Sequence, residues 1–128
     1  MRPNARTRVT DMERPAVKAE MAAILIECAS QRQTITYGHL CDRLTTVTLD
    51  PGTFIFTHLL REVCAEEYKK GHGQLCALVV SKATGMPSAG YFAREIVDMS
   101  GPEMLETLWR SELEDVFTRW AGEPPEDG

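Results

Sequence analysis

Four cysteines (Cys28, Cys41, Cys64, Cys76) and three histidines (His39, His58, His72) are the side chains of this 128-residue chain best suited to nucleophilic or metal chemistry. The cysteine spacings are 13, 23 and 12, with no CxxC, and the histidines form neither HxH nor HxxxH. Zinc sites draw on such short spacings, so no metal ligand set is indicated, and no cofactor. Each cysteine sits among apolar residues, where a free thiol behaves as a small hydrophobe. The expectation is four buried free thiols, with a disulfide or metal role as the alternative. The acidic pairs and triplets, Glu66-Glu67 and Glu112/Glu114/Asp115, read as solvated helix faces, with Glu62–Glu66 repulsion relieved by Lys69 or Lys70. Lys69-Lys70-Gly71-His72-Gly73 lacks the spacing of a P-loop; a helix C-terminus explains it better than a phosphate turn.

Two constellations suit binding. Arg61, Lys69, Lys70, Lys82 and Thr84, with the N-terminal Arg2, Arg6 and Arg8, form a candidate phosphate-contact set for DNA. Glu106, Trp109, Glu112 and Asp115 form a candidate surface for a protein partner or a second copy, since an acidic helix complements a basic protein surface.

Charge divides unevenly along the chain. The net value is −5, but residues 1–30 carry five basic and four acidic groups, residues 31–100 seven of each, and residues 101–128 two basic and eight acidic. The acidity belongs to the C-terminal segment, which weighs against a wholly basic nucleic-acid binder but not against a local basic face. Hydrophobic content of 43% is ordinary for a globular domain, and no apolar run spans a bilayer. The expectation is a cytoplasmic protein with no membrane contact.

The elements that must position these residues follow from periodicity. Val17, Met21, Ile24, Leu25 and Cys28 fall on one face of a helix from about Glu13 to Ser30, capped by Thr10 or Asp11 with Pro15 in its first turn. Thr34–Tyr37 suits a short extended piece, and Thr36 can cap a helix from Tyr37 to Leu44. Asp50-Pro51-Gly52 is a turn. A longer helix follows from about Thr53 to Lys70, with Phe54, Ile55 and Phe56 expected near the core. Leu75–Val80 reads as a buried strand, and Tyr91–Ala93 as its return, making a hairpin with a long tip. The last helix runs from Gly101 or Pro102 to Ala121, with Ser100 as its cap and Glu103 completing a capping box. Residues 1–10 read as a flexible basic arm, 11–121 as one domain, and 122–128 as a disordered acidic tail. Two short helices followed by a hairpin make an α/β (α+β) chain, mainly helical, in a winged helix-turn-helix-like order. The 53–70 helix then takes the recognition position and the 75–93 hairpin the wing.

Ile35-Thr36-Tyr37-Gly38, the block from Leu75 to Phe92, and Trp109…Val116-Phe117…Trp120 resemble a family of small bacterial proteins. Its pattern is a leading ITYGEL, a middle LSALVVNKxTGxPGxGFF and a closing VFxYW. Such domains occur alone or joined to nuclease-type domains, and no activity follows from the resemblance. Ser88-Ala89-Gly90 departs from the family's Pro-Gly-x-Gly turn. A narrower similarity is to the winged-helix domain of O6-alkylguanine DNA alkyltransferases, through Thr36-Tyr37-Gly38 and Cys76–Val80. Cys76 falls at that family's nucleophile position, but Leu75, Ala77 and Leu78 replace the Pro, His and Arg of its motif. Without a neighbouring base the thiol is not activated. The expected function is therefore non-catalytic: nucleic-acid binding, or an accessory role beside a nuclease. The alternative is a protein-interaction module (an adaptor, inhibitor or immunity factor) using the acidic C-terminal helix.

Overall fold

The computed structural model describes residues 5–87 and 102–122, with side chains in the second segment from Leu105 onward. In chain order the elements are α1 (Arg14–Ser30), β1 (Ile35–Thr36), α2 (Tyr37–Arg43), α3 (Phe54–Lys69), a 3-10 turn (Leu75–Leu78), β2 (Val79–Val80) and α4 (Pro102–Ala121). The architecture is mostly helical with one small sheet, an α+β arrangement. Among the described residues no helix is long and apolar enough to cross a membrane.

Local chemistry sets the helix starts. Ahead of α1, Thr10 Oγ1 accepts from the Glu13 amide at 3.1 Å, and the Glu13 carboxylate accepts from the Thr10 amide at 3.0 Å. This reciprocal pair is a capping box one turn upstream of the helix. Thr36 caps α2 by accepting from the His39 amide, and Thr53 caps α3 by accepting from the Phe56 amide. At the far end of α3, Gly71 takes φ 85°, a left-handed conformation that costs glycine little, and the helix stops.

The helix faces that periodicity marks as apolar are buried. Val17, Met21, Ile24, Leu25 and Cys28 of α1 pack with Phe56, Leu59, Leu60 and Val63 of α3, and with Val116 and Phe117 of α4. Residues 44–53, between α2 and α3, bury Leu44, Val47 and Leu49. That link is longer than the three- or four-residue turn of a compact helix-turn-helix. Tyr37 nonetheless meets Phe56 edge-on at 6.4 Å, coupling the start of α2 to α3.

The sheet differs from the expected hairpin. β1 and β2 run parallel, with Ile35 opposite Val79 and Thr36 opposite Val80. Parallel strands need a crossover, and α2 and α3 supply it. Leu75–Val80 is not one strand: its first four residues coil into the 3-10 turn and only Val79–Val80 extend. A continuous apolar run marks burial without choosing between strand and helical turn. The chain reverses just after β2, where the Ser81 amide donates to the Met86 carbonyl at 2.8 Å. The expected return strand Tyr91–Ala93, the Ser100 cap and the tail after Gly122 lie outside the described residues.

A further expectation is corrected. Cys64 of α3 and Cys76 of the 3-10 turn form a disulfide, with Cα atoms 5.7 Å apart. Only Cys28 and Cys41 are buried free thiols. Near the N-terminus, Arg6 is held at two points. The Arg6 guanidinium pairs with Glu13 at 2.6 Å, and its amide donates to the Thr48 carbonyl at 2.8 Å. The Arg6 hydrogen bond, helped by Thr10, holds the Glu13 carboxyl down to about 2.

α4 is fastened by its two tryptophans. Trp109 Nε1 donates to the Ala77 carbonyl at 2.8 Å, and Trp120 Nε1 to the His72 carbonyl at 3.0 Å. Between these anchors, Gly73 has φ 85°, and a Cβ there would stand 3.0 Å from Arg119 Cδ and 3.2 Å from Val116 Cγ2. Glycine is required for both the backbone turn and the approach of α4.

Candidate nucleic-acid interface

α3 buries Phe56, Leu59, Leu60, Val63, Cys64 and Glu67. The opposite face carries Phe54, Thr57, His58, Arg61, Ala65, Tyr68 and Lys69, all exposed. Their three- and four-residue spacing sets them in one stripe along the helix. Phe54 is 83% exposed and Tyr68 56%, two of the three large hydrophobic side chains exposed among the described residues. The Phe54 and His58 rings stack at 5.8 Å with planes 11° apart. Phe54 was expected to enter the core; instead the helix phase turns it outward, two positions before the buried Phe56.

The charges of α3 are sorted by its neighbours. Glu62 accepts from Arg14 of α1 at 2.7 Å and lies 3.5 Å from Lys18 and 3.2 Å from His58. Glu66 pairs with Lys18. Burial works against ionising Glu62, but Arg14, Lys18 and His58 outweigh it and hold its pKa below the usual range. Lys18 is correspondingly raised, chiefly by its hydrogen bond to Glu66. The relief expected from Lys69 or Lys70 thus comes from α1 instead. Arg61 and Lys69 make no side-chain hydrogen bond or ion pair among the described residues.

Glu67 is the one buried charged side chain among the described residues, 6% exposed. Its carboxylate accepts from Lys70 Nζ at 2.9 Å and meets His72 Nδ1 at 2.7 Å. Burial opposes its charge, yet the bonds to Lys70 and His72 prevail and lower its pKa. The His72 ring meets Trp120 edge-on at 5.0 Å, and Arg119 donates to the Gly71 carbonyl at 2.9 Å. The Lys69–Gly73 segment is therefore a helix terminus latched to α4, and Glu67 is not the solvated residue its sequence context implied.

The expected phosphate set divides. Arg61 and Lys69 share the open face of α3, while Lys70 is drawn to Glu67. Lys82 and Thr84 are exposed on the turn after β2, where the Thr84 hydroxyl exchanges hydrogen bonds with the Met86 backbone. Arg8 is exposed, Arg6 is engaged with Glu13, and Arg2 lies outside the described residues. The expected partner surface is altered more. Trp109 is 5% exposed, packed with Ala77 and Val80, so its ring belongs to the core. Glu106 pairs with Arg110 and Asp115 with Arg119, each one helical turn on, and Glu112 is half-buried. Phe54, His58 and Tyr68, exposed on the same face as Arg61 and Lys69, were not singled out from the sequence, although their spacing from those cations was legible there.

Cys76, at the position that resembles a nucleophile, has its sulfur bonded to Cys64. Among the described residues no three His, Cys, Asp or Glu side chains gather into a metal-sized cluster. Compared with known proteins, the chain matches no family model, no curated protein and no solved structure.

Proposed function

We propose that this chain is a winged-helix-like nucleic-acid-binding domain, acting by binding alone or beside a nuclease, with α3 as its recognition helix. The observation that carries the reading is the outward face of α3. Arg61 and Lys69 stand open there beside exposed aromatic rings, while Glu62, Glu66 and Glu67 are each tied to cations. Cations interleaved with aromatics serve phosphate contact and base contact together. An acidic protein can bind nucleic acid in this way, because the local field at the contact face matters more than the total charge. The element order, helix–strand–helix–helix followed by a reversal after β2, supports the winged-helix reading, with Lys82 and Thr84 near the base of a wing. The resemblance to domains found joined to nuclease-type domains supports the accessory role.

Fluorescence anisotropy with labelled duplex and single-stranded DNA, at low and moderate salt, tests the proposal. The expected result is binding that weakens with salt, since each phosphate contact releases counterions, and that falls in Arg61→Ala and Lys69→Ala. Absence of binding to either form at low salt would overturn it.

A further inference from the structure

The stripe on α3 has an internal order that goes beyond general affinity for nucleic acid. We propose, resting on the reading above, that α3 reads double-stranded DNA in the major groove. Arg61 contacts a guanine, and Phe54 the methyl group of a thymine about three base pairs away.

Groove dimensions choose the duplex. α3 has 16 residues, and a bare helix fits the major groove of B-form DNA, about 12 Å wide. A-form RNA has a deep, narrow major groove that side chains cannot read, so RNA does not suit this face. Ala65, the small exposed residue partway along the stripe, leaves the helix backbone there uncovered by a long side chain. The carboxylates that phosphates would repel are each matched: Glu62 by Arg14 of α1, with His58 of the stripe 3.2 Å away, Glu66 by Lys18, and Glu67 by Lys70 and His72.

Position along the helix then separates reading from holding. Recognition helices present their N-terminal turns to base edges. On α3 those turns carry Phe54, Thr57, His58 and Arg61; the last turn carries Tyr68 and Lys69, a phenol and an ammonium suited to phosphate oxygens. The Arg61 guanidinium is exposed and has no partner among the described residues, and its fork matches the O6 and N7 acceptors of guanine. Phe54 can make no polar contact, and the apolar group exposed in the major groove is the thymine methyl. The stack on His58 holds the Phe54 ring in place while leaving it 83% exposed. Seven residues separate Phe54 from Arg61, about 10.5 Å of helix rise, or about three base-pair steps of 3.4 Å.

Single-atom changes in the DNA test this. Sites are first selected from a randomised duplex pool, then bound with 7-deazaguanine replacing guanine or uracil replacing thymine. The expected selection enriches a guanine and a thymine about three base pairs apart. Deazaguanine, lacking N7, then weakens wild-type binding by about tenfold but leaves Arg61→Ala unchanged; uracil, lacking the methyl, weakens wild type a few-fold but leaves Phe54→Ala unchanged. Lys69→Ala should weaken all sequences alike and lower the salt slope by about one. All three side chains are exposed, and circular dichroism confirms that the variants fold. Salt-sensitive binding with no selected sequence and no effect of either base change would overturn the readout while leaving nucleic-acid binding intact. Equal affinity for duplex RNA would overturn it too. No binding to any duplex or single strand at low salt would instead remove the underlying function.

Discussion

The Arg14 guanidinium of α1 and the Glu62 carboxylate of α3 meet at 2.7 Å, across 48 residues of sequence. With Lys18 on Glu66, this contact gives the two carboxylates beside the stripe cations from α1, Glu62 also meeting His58, while Arg61 and Lys69 stay exposed. The first prediction follows from it. The double variant Arg14→Ala/Lys18→Ala, changed only outside the stripe, should lower affinity for duplex DNA by about tenfold at low salt, because two carboxylates lose their counter-charges. Anisotropy titration checks this, and circular dichroism reports whether the helices persist.

The Cys64–Cys76 disulfide closes a loop with a sequence separation of 12. Closing so short a loop stabilises by about 3 kcal/mol through restriction of the unfolded chain. Reductant, or Cys64→Ala with Cys76→Ala, should lower unfolding stability by that order in a urea titration. Thiol titration of the denatured, unreduced protein should find only Cys28 and Cys41; four reactive thiols would contradict the pairing.

Trp109 predicts a cost of a different kind. Replacing it with Phe keeps most of the packing against Ala77 and Val80 but orphans the buried Ala77 carbonyl. Loss of about 1–3 kcal/mol is expected, with DNA binding unchanged. A partner interface centred on this ring would instead show a binding loss without a stability loss.

Glu67 sets an acid limb. Its folded pKa lies below the ordinary value of 4.5, so its stabilising contribution is complete above that value and is lost as pH falls through the lower, folded pKa. Glu67→Gln should flatten the loss of stability below pH 4.5. At neutral pH it should cost about 1–3 kcal/mol, because Lys70 and His72 lose a charged acceptor. Denaturant titrations from pH 3 to pH 7 read both effects.

The helices were legible because periodicity and caps agree on them. Thr36 caps α2 as expected, Thr53 stands just ahead of α3 as its cap where the helix was read to begin, and the α1 stripe Val17–Met21–Ile24–Leu25–Cys28 is buried as read. Leu75–Val80 was legible as core but not as a 3-10 turn and a two-residue strand, since burial on all sides erases the alternation that identifies a strand. The disulfide and the Arg14–Glu62 and Lys18–Glu66 pairs join residues far apart on different elements, which local pattern does not encode. Arg61 and Lys69 were picked out as cations. That they share an open aromatic face, while Lys70 is spent on Glu67, depends on the phase of α3 and on what packs behind it.

Backbone amide shifts, followed by NMR while unlabelled duplex DNA is added, report residue by residue where the duplex meets the protein. Perturbations are expected at Phe54, Thr57, His58, Arg61, Ala65, Tyr68 and Lys69, with the outer face of α4 undisturbed. Perturbations centred on Glu106, Glu112 and Asp115, or none on α3, would contradict it.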